Sequence, residues 1–200
     1  MLKPQDSSHA ESESNRVRRQ VQVLLRSMTL DAYRKESAEI IRLLANWDLL
    51  QQASIIAGFH PSRSEPQIQT LLQGIANTKI LLLPRVLPQS NMEFVPVSDI
   101  HRELHLATFG LMEPRLMLKA WMGKPPTVFL VPGIAFGKFG ERIGHGGGYY
   151  DRYLAKFPDS IKIGVALSCQ LVPHKLPQLP HDIRMSYIVS PIGILPTGAR

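Results

Sequence analysis

Hydrophobic positions along the chain change period several times, and each change marks an element. In residues 15–27, Val17, Val21, Leu24 and Leu25 recur at helical spacing with arginines between them, which predicts an amphipathic helix. Thr29 fits the N-cap of a second helix with Asp31 in its first turn; this helix is predicted to reach residue 50 and to bury Ile40, Ile41, Leu43, Leu44 and Trp47. Residues 53–59 form a short apolar run, a strand, and Pro61-Ser62-Arg63-Ser64 a loop. Pro66 suits a first helical turn, with Ile68, Leu71, Leu72 and Ile75 on one face. The unbroken apolar run at 79–83 predicts a strand covered on both sides. Residues 92–97, bordered and interrupted by proline, predict an edge strand, and 104–119 a stretch of loops with a short helix. Strands follow at 127–131, 161–167 and 187–189, with a helix at 148–157.

Strands that alternate with helices predict an α/β fold, a mainly parallel sheet with helices on both faces. In such a sheet, ligands bind beyond the carboxyl ends of the strands. That rule directs attention to the loop leaving the strand at 127–131.

The loop lies within Leu130–Leu154, LVPGIAFGKFGERIGHGGGYYDRYL, and holds seven glycines from Gly133 to Gly148. Glycine lets backbone approach a ligand without an intervening Cβ, and a strand, a glycine-rich loop and a helix start can present bare N–H groups to a phosphate. Lys138, Arg142, His145 and Arg152 add positive charge, and arginine matches phosphate oxygens with a planar fork. Asp151 adds a hard oxygen of the kind Mg²⁺ prefers. The pattern is not a Walker-type loop, because Phe139 follows Gly137-Lys138 and Pro132 replaces the first glycine. Nor does it carry dinucleotide spacing, since Tyr149 breaks the series begun at Gly144 and Gly146. The loop is read as an anion site for a nucleotide; the competing account is a flexible loop whose glycines merely serve turns.

Composition bounds the reading. A chain of 200 residues, 44% hydrophobic and 20% charged, suits one compact domain with a sizeable core, here placed at 15–200 behind a disordered polar leader at 1–14. Apolar runs fall short of the roughly 18 residues of a membrane span, and the polar N-terminus lacks a secretory pattern. The single Cys169 rules out an intramolecular disulfide framework and fits a reducing, cytoplasmic compartment; it is read as a small core residue. A net charge of +7 would attract anionic ligands. Arg16, Arg18, Arg19 and Arg26 gather near the front, but with aromatics at 7% and no recognised module, nucleic-acid binding is not expected. Most of the excess charge is assigned to solvated surface, and the protein is expected to act as a monomer.

The ordered series Pro132-Gly133-Ile134-Ala135-Phe136, then Gly140-x-Arg142-Ile143-Gly144-x-Gly146-x-Gly148-Tyr149-Tyr150-Asp151-Arg152-Tyr153-Leu154, resembles the signature of the 5-formyltetrahydrofolate cyclo-ligase family. Gly58-Phe59-His60 before Glu65, Leu83-Pro84-Arg85, Met92-Glu93-Phe94 and Gly110-Leu111-Met112-Glu113-Pro114 extend the resemblance upstream. Ile163-Gly164-Val165-Ala166-Leu167, Gln170-Leu171 and Leu179-Pro180-His181-Asp182 extend it downstream.

The resemblance implies an ATP-driven ring closure with Mg²⁺ as cofactor. The formyl oxygen of 5-formyltetrahydrofolate attacks the γ-phosphate of ATP, N10 attacks the resulting phosphorylated imidate, and phosphate leaves to give 5,10-methenyltetrahydrofolate and ADP. Phosphorylation turns a poor leaving oxygen into a good one, so the protein's task is alignment and charge neutralisation. Carried over by motif, Arg18, Arg142, Ile143, Gly144, His145, Gly146, Gly147, Gly148, Tyr149 and Tyr150 are expected to bind nucleotide, with Arg142 as the catalytic group. His60, Glu65 and the segment His145-Gly146-Gly147-Gly148-Tyr149 are expected to contact the folate, and Asp151 and Asp182 the metal.

Plainer roles exist for several of these. Asp151 could serve the helix start, Asp182 a turn after proline, Glu65 a solvated acid before Pro66, and the two tyrosines surface packing. Gln170 is assigned no role. The sequence also departs from the family pattern: Ser14 stands where a lysine commonly precedes the arginine matched by Arg18, and Gly137 where an aspartate is common. These departures keep open a diverged or non-catalytic folate- or nucleotide-binding regulator of the same fold.

Overall fold

The structure is a computed structural model that describes residues 4–89, 91–107 and 110–199. The chain runs through α1 (Pro4–Ser27), α2 (Leu30–Ala45), α3 (Asp48–Gln52), β1 (Ile55–Ala57), α4 (Gln69–Thr78), β2 (Ile80–Leu87) and β3 (Asn91–Val97). It continues through β4 (Leu104–Leu106), β5 (Met112–Pro114), β6 (Val128–Val131), β7 (Ala135–Gly137), β8 (Arg142–Ile143) and α5 (Tyr149–Leu154). The last elements are β9 (Ile161–Val165), β10 (Leu171–Val172), β11 (Tyr187–Ser190) and β12 (Gly193–Pro196).

The main sheet has the order β12-β11-β9-β6-β1-β2-β3. Its five inner strands pair parallel, while β3 and β12 close the edges antiparallel, so the expected mainly parallel sheet is found. Alternation along the strands sends Ile56, Leu81, Leu83, Val128, Leu130, Ile163, Val165 and Val189 to one face, against α2, α3 and α4. Ile55, Ala57, Leu82, Phe129, Val131 and Ile188 go to the other face, against Leu154 of α5. Helices therefore cover both faces, and the strands read as continuous apolar runs because neither face meets water.

Several boundaries differ from the sequence expectation. Residues 4–14, expected as a disordered leader, are helical from Pro4, while residues 1–3 lie outside the described residues. Proline is tolerated in a first helical turn, and no later Gly or Pro interrupts this segment. The second helix stops at Ala45 because Asn46 caps it, its backbone N–H and Nδ2 both turning back to the Arg42 carbonyl; residues 48–52 form the separate α3. Strand β2 runs on past Pro84 to Leu87 because β3 pairs with it from Leu81↔Val97 to Leu87↔Asn91. Within 104–119, expected as loops with a short helix, β4 and β5 pair antiparallel and Gly110 is 3-10 helical; residues 108 and 109 lie outside the described residues.

A small second sheet, β10-β7-β8, carries part of the glycine-rich loop. Val17 and Val21 of α1 pack on Ile134, Ala135, Ile143 and Leu176 there. The first helix is thereby clamped to the loop, which brings Arg18 to it.

Candidate active site

The topology selects one crevice. From β1 the chain moves to β2 on one side, and from β6 to β9 on the other, so the neighbours β1 and β6 form the switch point of the sheet. Their carboxyl ends release the Gly58–Glu65 segment and the glycine-rich loop, respectively.

The first segment is built around Glu65. Its side chain is 8% exposed, and Oε2 accepts the Ser62 N–H at 2.7 Å. The Tyr33 hydroxyl of α2 reaches the backbone carbonyls of Arg63 and Glu65, and Gln67 Nε2 donates to the Ser62 and Glu65 carbonyls at 2.8 Å each. The remaining oxygen, Oε1, faces His145 Nε2 across 3.9 Å, so the two loops meet. His60 Nδ1 is buried without a hydrogen-bond partner, and burial lowers the pKa of this imidazole, favouring its neutral form.

The second segment fixes Arg142. Strands β7 and β8 pair as Ala135↔Ile143 and Phe136↔Arg142, and Gln170 Nε2 holds the Gly133 carbonyl at 2.8 Å. The Arg142 guanidinium donates from Nη2 to Asp151 Oδ2 at 2.8 Å and from Nη1 towards the Pro132 carbonyl at 3.4 Å; Nε is buried without a partner. The Tyr150 ring lies 5.6 Å from the guanidinium carbon. Burial pushes the Tyr150 hydroxyl strongly up, Glu65 adds to the rise and Arg142 opposes it, which puts this tyrosine in the electrostatic reach of both loops. Tyr149 instead lies under Arg152, 5.6 Å from ring centre to guanidinium.

Arg18 reaches the loop from α1, donating from Nε to the Gly144 carbonyl at 2.8 Å. Burial lowers its pKa, with Asp182 and then Glu11 acting in the opposite sense. Gly146 and Gly148 adopt φ of 99° and 64°, the left-handed region in which a side chain is strained, so at these two positions glycine answers a backbone requirement. Gly148 opens α5, which is only six residues long.

The two aspartates expected at a metal are brought to neighbouring places. Asp151 accepts from Arg142 through one oxygen and from the Ile183 N–H at 3.2 Å through the other. Asp182 accepts the Leu179 N–H at 2.7 Å, the turn role that its position after Pro180 suggested. Among the described residues, no group of three or more His, Cys, Asp or Glu side chains forms a metal cage. Two carboxylates fit Mg²⁺ nonetheless, since that ion commonly takes one or two from the protein and completes its shell with phosphate oxygens and water.

Thus His60 and Glu65 lie on the first loop, Arg142 and Ile143 on β8, Gly144–Gly148 on the loop after it, and Tyr149, Tyr150 and Asp151 at the start of α5, while Arg18 reaches them from α1 and Asp182 lies beside Ile183, whose N–H bonds Asp151. Sequence reasoning missed Tyr33 and left Gln170 unassigned, although both hold loops in place. Gln170 Oε1 also accepts the Leu167 N–H at 2.8 Å, tying the end of β9 to the loop. Its place beside an apolar strand end gave a signal; Tyr33, one of many polar positions on an amphipathic helix, gave none.

Fold and site define an α/β protein that gathers arginines, carboxylates and glycine backbone at a sheet switch point. A profile of the 5-formyltetrahydrofolate cyclo-ligase family matches residues 10–191, and the chain belongs to that family. It is 27% identical over 172 residues to the 5-formyltetrahydrofolate cyclo-ligase of Escherichia coli K12, a match covering 83% of this chain and 93% of that protein. It is 36% identical over 87 residues to the mitochondrial 5-formyltetrahydrofolate cyclo-ligase of Arabidopsis thaliana, covering 38% of this chain and 31% of the plant protein's length. The fold is similar to the NMR structure of Aquifex aeolicus 5,10-methenyltetrahydrofolate synthetase, with a TM-score of 0.81, 26% identity and 94% of each chain covered. No described helix is long and apolar enough to cross a membrane.

Proposed function

We propose that this protein converts 5-formyltetrahydrofolate and ATP into 5,10-methenyltetrahydrofolate, ADP and phosphate. The observation that carries this reading is the meeting of two loops: Glu65 Oε1 stands 3.9 Å from His145 Nε2, with Arg142 farther along the same glycine-rich loop. A folate site on the first loop and a phosphate site on the second would abut there, as in-line transfer between the two substrates requires.

In this reading Glu65 receives N–H donors of the pterin, with Ser62 and Tyr33 fixing its loop. His60, whose neutral form burial favours, offers its Nδ1 to the same substrate. Arg18 and the backbone from Ile143 to Gly148 hold the nucleotide, Tyr149 and Tyr150 line it, and Arg142 neutralises charge as the phosphoryl group passes to the formyl oxygen. Asp151 and Asp182 would hold Mg²⁺, whose chemistry is to screen the phosphate oxygens. The folate's own N10 then closes the ring and expels phosphate, so the protein needs no nucleophile.

The test is to mix the protein with 5-formyltetrahydrofolate and Mg-ATP and follow methenyltetrahydrofolate by absorbance. The expected result is product formed in step with ADP and phosphate. Absence of product, or release of AMP, would sink the assignment.

A further inference from the structure

The carboxylate of Glu141 is fully buried, immediately before Arg142. Oε2 accepts the Phe139 N–H at 3.1 Å, the Glu141 backbone carbonyl accepts the Gly137 N–H at 2.9 Å, and Oε1 has no partner. Gly140 N–H closes the same turn on the Gly137 carbonyl at 3.0 Å. A Cβ added at Gly137 would stand 2.5 Å from Glu141 Oε2 and 3.4 Å from Leu176 Cγ. The Glu141 side chain therefore folds back into the turn between β7 and β8 and fills the space that a side chain at 137 would take.

We propose that Glu141 is a positioning residue for Arg142, with Gly137 its obligatory complement. The carboxylate ties the turn from inside and leaves Arg142 in register opposite Phe136, where its guanidinium meets Asp151. Its location makes this more than local stiffening. Leu176, which bounds the carboxylate's space, belongs to the small core in which Val17 and Val21 of α1 pack. One buried acid thus stands at the junction of Arg142's strand and the helix that delivers Arg18. A buried carboxylate with an unmade bond is costly to a fold, and a neutral residue would serve if filling space were its only task. This inference rests on the proposed role of Arg142 in phosphoryl transfer.

Moving the carboxylate across the turn tests it. Wild type, Glu141→Ala, Gly137→Asp and the double variant Gly137→Asp/Glu141→Ala are compared for melting temperature, for ATP affinity by calorimetry without folate, and for kcat and KM of methenyl formation. Glu141→Ala is expected to lower kcat/KM roughly ten- to hundredfold, chiefly in kcat, as a catalytic group displaced by an ångström does, and to weaken ATP. Gly137→Asp alone places a second carboxylate in occupied space and is also expected to fall. The double variant, with one carboxylate again in that space, should regain most of both losses. Should Glu141→Ala fail to fold, Glu141→Gln keeps the volume and is expected to lower kcat with a near-wild-type melting temperature. A double variant no better than Glu141→Ala, or wild-type kcat in Glu141→Gln, overturns the proposal. ATP affinity is measured without turnover, so the exchange pattern stays readable even if wild type makes no methenyl product, which would count against the proposed reaction instead.

Discussion

Arg142 and Asp151 are bonded to each other, Nη2 to Oδ2 at 2.8 Å, with only 5% and 13% of their side chains exposed. The residue proposed to meet the transferring phosphate and the residue proposed to hold the metal are one unit. A buried cation and anion neutralise each other until a ligand offers a replacement for either. Phosphate oxygens would draw on Arg142 while a metal would draw on Asp151, so substrate and metal act on the same pair from opposite ends.

Asp151→Asn follows directly. An accessible loop position would lose metal response with little effect on folding, but this carboxylate is the partner of a buried guanidinium and also accepts the Ile183 N–H. The amide retains some hydrogen bonding, so the expected loss of stability is about 1–3 kcal/mol, seen as a lower melting temperature. The Mg²⁺ concentration for half-maximal activity should also rise. Wild-type melting together with a wild-type Mg²⁺ titration would show that Asp151 serves neither role.

Glu65→Gln should act on the folate alone. Glu65 is fixed by Ser62 and Tyr33 on the first loop, and its Oε1 faces His145 across the crevice. Losing one charged hydrogen-bonding partner is worth about 1.5–3 kcal/mol, so folate affinity measured by calorimetry should fall while ATP affinity stays. An unchanged folate affinity with weakened ATP would move Glu65 to the nucleotide side.

Much of the sheet was legible because buried parallel strands are apolar on both faces: 80–83 and 128–131 stand out as unbroken runs, and 161–167 as a run interrupted by Lys162, whose ammonium reaches the Phe157 and Pro158 carbonyls. The short pairs β4–β5 and β7–β8 were not, since two or three residues show no period. Likewise Arg142, Asp151 and the glycines were visible as a motif, and family resemblance supplied their roles. What a motif cannot carry is who bonds to whom. Glu141 carries no signal of its own in the sequence, yet it is fully buried because the turn folds over it. Asp182 read as a turn residue and does bond within its turn, while its effect on Arg18 depends on α1 being packed beside it.

Cys169 should be inert near neutral pH. Burial, reinforced by Glu36, raises its thiol pKa from the ordinary 9.0 to about 11, and its Sγ lies 3.5 Å from Met28 Sδ. Because the folded state holds the proton more tightly than the unfolded chain, stability falls as pH rises from about 9 to about 11, the window between the two values. Iodoacetamide should label native protein slowly at pH 7.5 and quickly once it is unfolded. Cys169→Ala should leave turnover unchanged and flatten the alkaline fall in melting temperature; rapid native labelling with loss of activity would reinstate a chemical role for the thiol.

The sharpest prediction concerns how Arg142 is aimed. A Cβ added at Gly144 would stand 2.7 Å from Arg142 Nη1 and push the guanidinium off its present line to Asp151. Gly144 is not among the positive-φ glycines, so alanine is compatible with its backbone, and the disturbance falls on the arginine side chain. Gly144→Ala should therefore fold with a melting temperature close to wild type, yet form methenyl product roughly ten- to hundredfold more slowly in single-turnover experiments, the scale of a small misplacement at a reacting centre. Arg142→Ala should lower the chemical step further, with a smaller effect on binding, because its charge counts most as negative charge redistributes in the transition state. Arg142→Lys should recover only part, since an ammonium cannot bond to Asp151 and a phosphate with the two-pronged geometry of the guanidinium. Wild-type single-turnover rates in Arg142→Lys would reduce the residue to a counter-charge, and wild-type rates in Arg142→Ala would remove it from the mechanism. If Gly144→Ala alone were silent, the orientation set by Asp151 would not be the one that matters in the transition state.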